Sequence, residues 1–121
     1  MSKFNSIEEM KVWQEAMSLV LSVYDVIRRN KEFSRDFGLR DQVQRSAVSI
    51  PSNIAEGFER ETNAEFVRFL YIAKGSSGEL RTQIYIAHKL GYVLPEDYTT
   101  IDANCRKISS MLMKLIHTLK P

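Results

Sequence analysis

Arg45-Ser46-Ala47-Val48-Ser49-Ile50-Pro51-Ser52-Asn53-Ile54-Ala55-Glu56-Gly57 is the stretch whose reading decides the fold. Ala47, Ile50 and Ile54 recur in steps of three and four, the spacing of one helix face. Pro51 stands in the middle of that pattern. A proline inside a helix costs about 3 kcal/mol, because it removes one backbone bond and clashes with the preceding turn. A long helix that keeps one has a packing or functional reason to do so. Pro51 deprives the Ala47 carbonyl of its helical donor, and Ser49, Ser52 and Asn53 are placed to resatisfy the local backbone. Asn53 and Glu56, three residues apart, share a face. Two readings of Ser49, Asn53 and Glu56 stand at this stage. They form either a buried polar network that holds a kink against the next helix, or a face for a ligand or nucleic acid.

Outward from this stretch, the apolar periodicity predicts four helices. The one that contains it runs from about Ser34 to Gly57, with Leu39, Val43, Ala47, Ile50 and Ile54 inward and Gly57 suited to a left-handed end. The preceding helix spans about Ser6 to Asn30, opened by a Ser6-x-x-Glu9 capping box. It carries two adjacent seams. One is Met10, Trp13, Met17, Val20, Tyr24 and Ile27; the other is Val12, Ala16, Leu19, Val23 and Val26. Together they make an apolar face wider than one neighbour needs, which predicts self-assembly. A third helix spans about Thr62 to Leu90, with Thr62 and Glu65 as a capping box and Gly91 just past its end. The fourth runs from about Pro95 to Leu119 on a seam of Ile101, Cys105, Ile108, Leu112, Leu115 and Leu119.

Short breaks between four helices predict an all-α, antiparallel up-down-up-down four-helix bundle, a single domain over residues 1–121, with its second helix kinked at Pro51. Two glycines inside the third helix, Gly75 and Gly78, cost roughly 1 kcal/mol each relative to alanine. Close approach of another backbone would compensate, so Gly75, Ser76 and Gly78 are expected to meet Ser46, Ala47 and Ser49. Glu79 interrupts a secondary apolar seam, and a buried glutamate needs a partner, for which Arg45 is the candidate.

The 121 residues suffice for one core. Apolar residues at 44% and charged residues at 26% describe a folded chain rather than a disordered one. A net charge of +2 neither demands nor excludes a nucleic-acid partner, so any such binding depends on a local patch. Cys105 is the single cysteine, which excludes an intramolecular disulfide and a cysteine-rich zinc site. Met1-Ser2-Lys3-Phe4-Asn5 lacks the apolar run of a leader peptide, and no stretch approaches the roughly 20 apolar residues of a membrane span. A cytoplasmic protein without membrane contact is expected.

The stretch Ala47 to Gly57 closely resembles the hallmark of a bacterial four-helix-bundle family, the 23S rRNA intervening sequence proteins. Leu39-Arg40-Asp41-Gln42 and Arg45 look like the lead-in of the same motif. Phe69-Leu70-Tyr71-Ile72-Ala73-Lys74-Gly75-Ser76 with Glu79-Leu80-Arg81-Thr82-Gln83 looks like its second signature, and Val12-Trp13-Gln14 and Leu90-Gly91-Tyr92 match weaker ones. The resemblance covers nearly the whole chain. It implies a four-helix bundle assembled as a homopentameric ring. The family takes its name from members encoded within insertions in ribosomal RNA genes. It also implies kinship with the accessory variability determinant of diversity-generating retroelements, a basic pentameric bundle that binds nucleic acid and a reverse transcriptase.

A stripe on the third helix is the candidate contact surface. Tyr71, Lys74, Gly78, Arg81, Tyr85 and His88 follow in steps of three and four, so cations and aromatics interleave on one face. Phosphate contact and base stacking need that mixture. The competing reading is a solvated face whose tyrosines pack at a subunit boundary. Arg28, Arg29, Lys31 and Arg35 cluster at the end of the first helix, where they complement its dipole. Catalytic motifs are absent from the sequence: there is no Glu-x-x-His, no nucleophile elbow after a strand and no phosphate-binding glycine loop. The expectation is therefore a non-enzymatic, homo-oligomeric module without metal or cofactor, whose partners are itself and RNA or DNA. The alternative is a protein-binding adaptor or structural ring, with an unidentified protein as partner and no nucleic-acid role.

Overall fold

The computed structural model describes residues 5–120, which form an all-helical chain without a strand. Met1 to Phe4, four of the five residues read for a leader peptide, lie outside the described part. A single 3₁₀ turn, Ile7–Glu9, precedes α1 (Lys11–Arg29), α2 (Lys31–Arg35), α3 (Phe37–Phe58), α4 (Asn63–Lys89) and α5 (Pro95–Leu119). Four of these helices are long. α1 packs on α3 and α5, and α4 packs on the same two helices. No described helix is long and apolar enough to cross a membrane.

The first helix begins later than its capping box predicts. Ser6 makes no side-chain cap, and the chain stays extended at Met10 before turning helical at Lys11. Met10 is 1% exposed, so its side chain is committed to the core at the point where the capping box would run a helix across it. The Gln14 Nε2 donates instead to the Glu8 carbonyl at 2.7 Å and closes the corner. The second apolar seam of α1 is used fully within the chain and the first only in part. Val12, Ala16, Leu19, Val23 and Val26 are all buried, as are Met10, Val20 and Ile27, while Trp13, Met17 and Tyr24 are half-buried.

The predicted second helix is two pieces. The Asn30 side chain accepts from the Phe33 amide at 2.8 Å and starts α2, whose Phe33 ring is fully buried. Asp36 then caps α3, its Oδ1 accepting from the Leu39 amide at 3.2 Å and its Oδ2 from the Tyr92 hydroxyl at 3.0 Å. Through Pro51, which is buried, α3 continues unbroken to Phe58. Gly57 therefore lies inside the helix, and the expected left-handed end is not there; among the described residues only Gly91 has a positive φ, at +83°.

The start of α4 follows expectation, with Thr62 Oγ1 accepting from the Glu65 amide at 3.2 Å. Its end does too. The Tyr92 amide reaches the Ala87 carbonyl at 2.9 Å and the Gly91 amide reaches His88 at 3.0 Å, the paired bonds of a helix closed by a left-handed glycine. Tyr92 then stacks on Phe33 at 5.4 Å, joining this corner to α2. In α5, Ile101, Cys105, Ile108 and Leu112 are buried as read, but the seam moves over from Leu115 to the buried Ile116.

Candidate nucleic-acid interface

Around Pro51 the polar residues form a network between α3 and α4. The Asn53 Nδ2 donates to the Ser49 carbonyl at 2.8 Å and to the Ser49 hydroxyl at 2.9 Å. That hydroxyl lies 2.8 Å from the Ser76 hydroxyl on α4. Asn53 thus serves the Ser49 carbonyl rather than that of Ala47. Glu56 is outside this network and pairs with Arg60 at 3.0 Å on the surface.

The close helix contact lies elsewhere than expected. A Cβ at Gly75 or Gly78 would meet nothing within 4 Å, because both glycines face solvent. At Gly57 a Cβ would stand 2.8 Å from the Phe66 ring and 2.9 Å from the Phe69 Cβ, so this is the glycine that lets α3 and α4 approach. Ser76, between the two open glycines, is what meets Ser49. The Arg45–Glu79 ion pair is likewise not formed. Both residues are exposed and line one groove with Gln42, Ser46, Ser49 and Gln83, so Glu79 has no burial to offset.

Lys74, Gly78 and Arg81 of the predicted stripe share one surface with residues of α5. The buried Ser77 hydroxyl donates to the Cys105 carbonyl at 3.0 Å and sets the register of α4 on α5. One turn further along α4, Arg81 Nε meets Asp102 Oδ1 at 3.0 Å, one turn back along α5. Arg106 Nε takes the other carboxylate oxygen, Asp102 Oδ2, at 2.9 Å. Lys74, Arg81 and Arg106 then surround a shallow cradle of ≈ 240 Å³, completed by Ser77, Gly78 and Ser109. Next to it, sharing Gly78 and Arg81, lies a hollow of ≈ 230 Å³ walled by Thr82, Tyr85, Tyr98 and Asp102.

Burial alone would pull the pKa of Asp102 up, but the hydrogen bonds from Arg106 and Arg81 together outweigh it and hold the carboxyl below its ordinary value. A lowered folded pKa means that the contribution of these ion pairs is complete above the unfolded value of about 3.9 and is lost as pH falls through the folded one. Asp102→Asn removes that acid dependence and the charge that neutralises two arginines. We expect it to cost about 1 kcal/mol in urea unfolding, since both arginines are well exposed, and to tighten binding of a phosphate-bearing ligand. Weaker anion binding in this variant would contradict the arrangement.

The ends of the stripe are engaged differently. The Tyr71 hydroxyl accepts from Lys120 Nζ at 3.1 Å. His88 is half-buried, stacked on Tyr98 at 4.5 Å with 6° between planes, and its Nδ1 faces the Val93 carbonyl at 3.4 Å. His88 therefore braces Tyr98, while Lys74, Arg81 and Tyr85 share the open surface. Tyr98, Asp102, Arg106 and Ser109 were missed from the sequence, since they belong to α5 and only the helix register brings them here. The Asp102-x-x-x-Arg106 spacing was the one signal available.

Cys105 is buried, which pushes its thiol up to about 12. Among the described residues no three His, Cys, Asp or Glu side chains are grouped to hold a metal.

Comparison with known proteins places residues 8–114 in the family model described as 23S rRNA-intervening sequence protein. A crystal structure from Bacteroides thetaiotaomicron, described as a protein of unknown function from the S23 ribosomal protein family, shares the fold. It superposes with a TM-score of 0.80 at 22% identity, over 87% of this chain and 97% of that one. Among curated proteins no match was found.

Proposed function

We propose that this chain, which belongs to the 23S rRNA-intervening sequence protein family, is a non-enzymatic RNA-binding module built as a ring of four-helix bundles. The observation that carries the reading is the α4–α5 cradle, where Lys74, Arg81 and Arg106 stand against the single carboxylate of Asp102. Three cations around one open glycine are what a phosphodiester backbone needs, and the family's name makes RNA the first ligand to try. On this reading the whole chain is one domain, its four long helices run up-down-up-down, and α3 bends at Pro51.

Self-assembly is supported by a groove between α1 and α3. Trp13, Met17, Val20, Val48, Pro51 and Ala55 line it with Ser52, and Val48 is 40% exposed. Exposed apolar surface of this kind marks an interaction site more often than a bare monomer surface. Light scattering reads the assembly directly: a species five times the monomer mass is expected, and a monomer would overturn the ring.

The salt dependence of RNA binding tests the reading of the cradle. Each phosphate contact to a single strand contributes a slope of about −0.7 in log K against log salt, so one phosphate held in the cradle predicts about −0.7 per subunit engaged. A flat profile, or no binding with the ring intact, would favour a protein-binding adaptor instead.

A further inference from the structure

The cradle and the aromatic hollow are neighbours with a common floor. Gly78 and Arg81 line both. Nothing lies within 4 Å of where a Cβ at Gly78 would be, so a ligand backbone can approach α4 closely at that point. On the far side of the hollow, Tyr85 is 48% exposed, which is high for a ring that large. It is nevertheless well supported. Tyr98 meets it edge-on at 6.1 Å and 61°, and His88 stacks behind Tyr98 at 4.5 Å. Lys89 Nζ lies over the Tyr85 ring, 5.5 Å from its centroid, and adds a further cation there.

We infer that the surface selects single-stranded nucleic acid, with a phosphate among Lys74, Arg81 and Arg106 and the adjoining unpaired base against Tyr85. The inference rests on the nucleic-acid reading above and adds the state of the strand. A duplex offers the protein its phosphates, while its bases stack on one another inside the helix. A braced, exposed tyrosine next to a phosphate cradle gives a duplex nothing. An unpaired base has a free face to place on it. The bracing also limits the conformational freedom that Tyr85 would lose on binding.

Fluorescence anisotropy with a labelled 12-nucleotide RNA of mixed sequence, alone and annealed to its complement, provides the test on the full chain. The native protein is expected to bind the single strand roughly 5- to 100-fold more tightly than the duplex, the range of one base–aromatic stack. Tyr85→Ala should close that gap without changing the salt slope, and Tyr85→Trp should restore it. Arg106→Gln should instead weaken binding of both RNAs by a similar factor and leave the gap between them. Equal affinity for both RNAs, or an unchanged single-strand affinity in Tyr85→Ala, would overturn the inference and leave the phosphate cradle standing. Failure of the native protein to bind either RNA would overturn the cradle as well.

Discussion

Gly57→Ala is expected to lower the stability of this protein by up to about 2 kcal/mol, although the residue lies inside a helix where alanine is normally the better choice. The new methyl would stand 2.8 Å from the Phe66 ring, 2.9 Å from the Phe69 Cβ and 3.1 Å from the Phe66 carbonyl oxygen. Two of those three atoms belong to, or lie next to, the α4 backbone and cannot swing aside. Phe66 is itself buried and packs edge-on against Phe58 at 6.3 Å, so its ring has little room to move. Overpacking of a filled site costs about 1–3 kcal/mol, and helix propensity returns at most about 1. Gly78→Ala has the opposite sign. Its methyl meets open solvent, so propensity acts alone and raises stability by up to about 1 kcal/mol. Urea unfolding of the two variants beside the native protein measures both; a gain at Gly57 equal to that at Gly78 would show that α3 and α4 are not in close contact there.

On the proposed RNA-binding reading, Lys74→Gln combined with Arg106→Gln is expected to weaken RNA binding by roughly 10²- to 10⁴-fold. Each substitution removes one hydrogen-bonding charge from the cradle, and such bonds are worth about 1.5–3 kcal/mol apiece. The pair is chosen so that Arg81 remains on Asp102 and α5 stays attached to α4. Charge reversal at Arg81 would be a poorer experiment, since it would set a second carboxylate against Asp102 and loosen the helices. An unchanged circular dichroism spectrum with unchanged RNA affinity would move the binding surface off α4 and α5.

The helices were legible because their apolar residues recur in steps of three and four over many turns, and because Gly91 followed by Pro95 marks one end and one beginning without ambiguity. Caps were legible only in part. Thr62-x-x-Glu65 and Ser6-x-x-Glu9 have the same spacing, yet only the first caps a helix. What separates them is the burial of Met10, a tertiary demand that a four-residue motif does not record. The glycines show the same limit. Gly57, Gly75 and Gly78 are chemically identical, and only the rotation of α4 decides that Ser76 faces α3 while its glycine neighbours face water.

The candidate surface was half legible for a related reason. Lys74, Arg81 and Tyr85 share one helix, so their common face follows from helical geometry. Arg106, Asp102 and Tyr98 lie on another helix, more than a dozen residues away in sequence. Their arrival depends on the register that the buried Ser77 hydroxyl sets on Cys105. The serines around Pro51, read with two possible roles, form hydrogen bonds that join α3 to α4.

Ultraviolet crosslinking of the native protein to bound RNA, followed by mass spectrometry of the adducted peptides, tests the location of the binding surface most directly. The account predicts adducts on the α4 peptide that carries Tyr85 and on the α5 peptide from Tyr98 to Arg106. Adducts concentrated on the α1–α3 groove around Trp13 and Pro51 would contradict it.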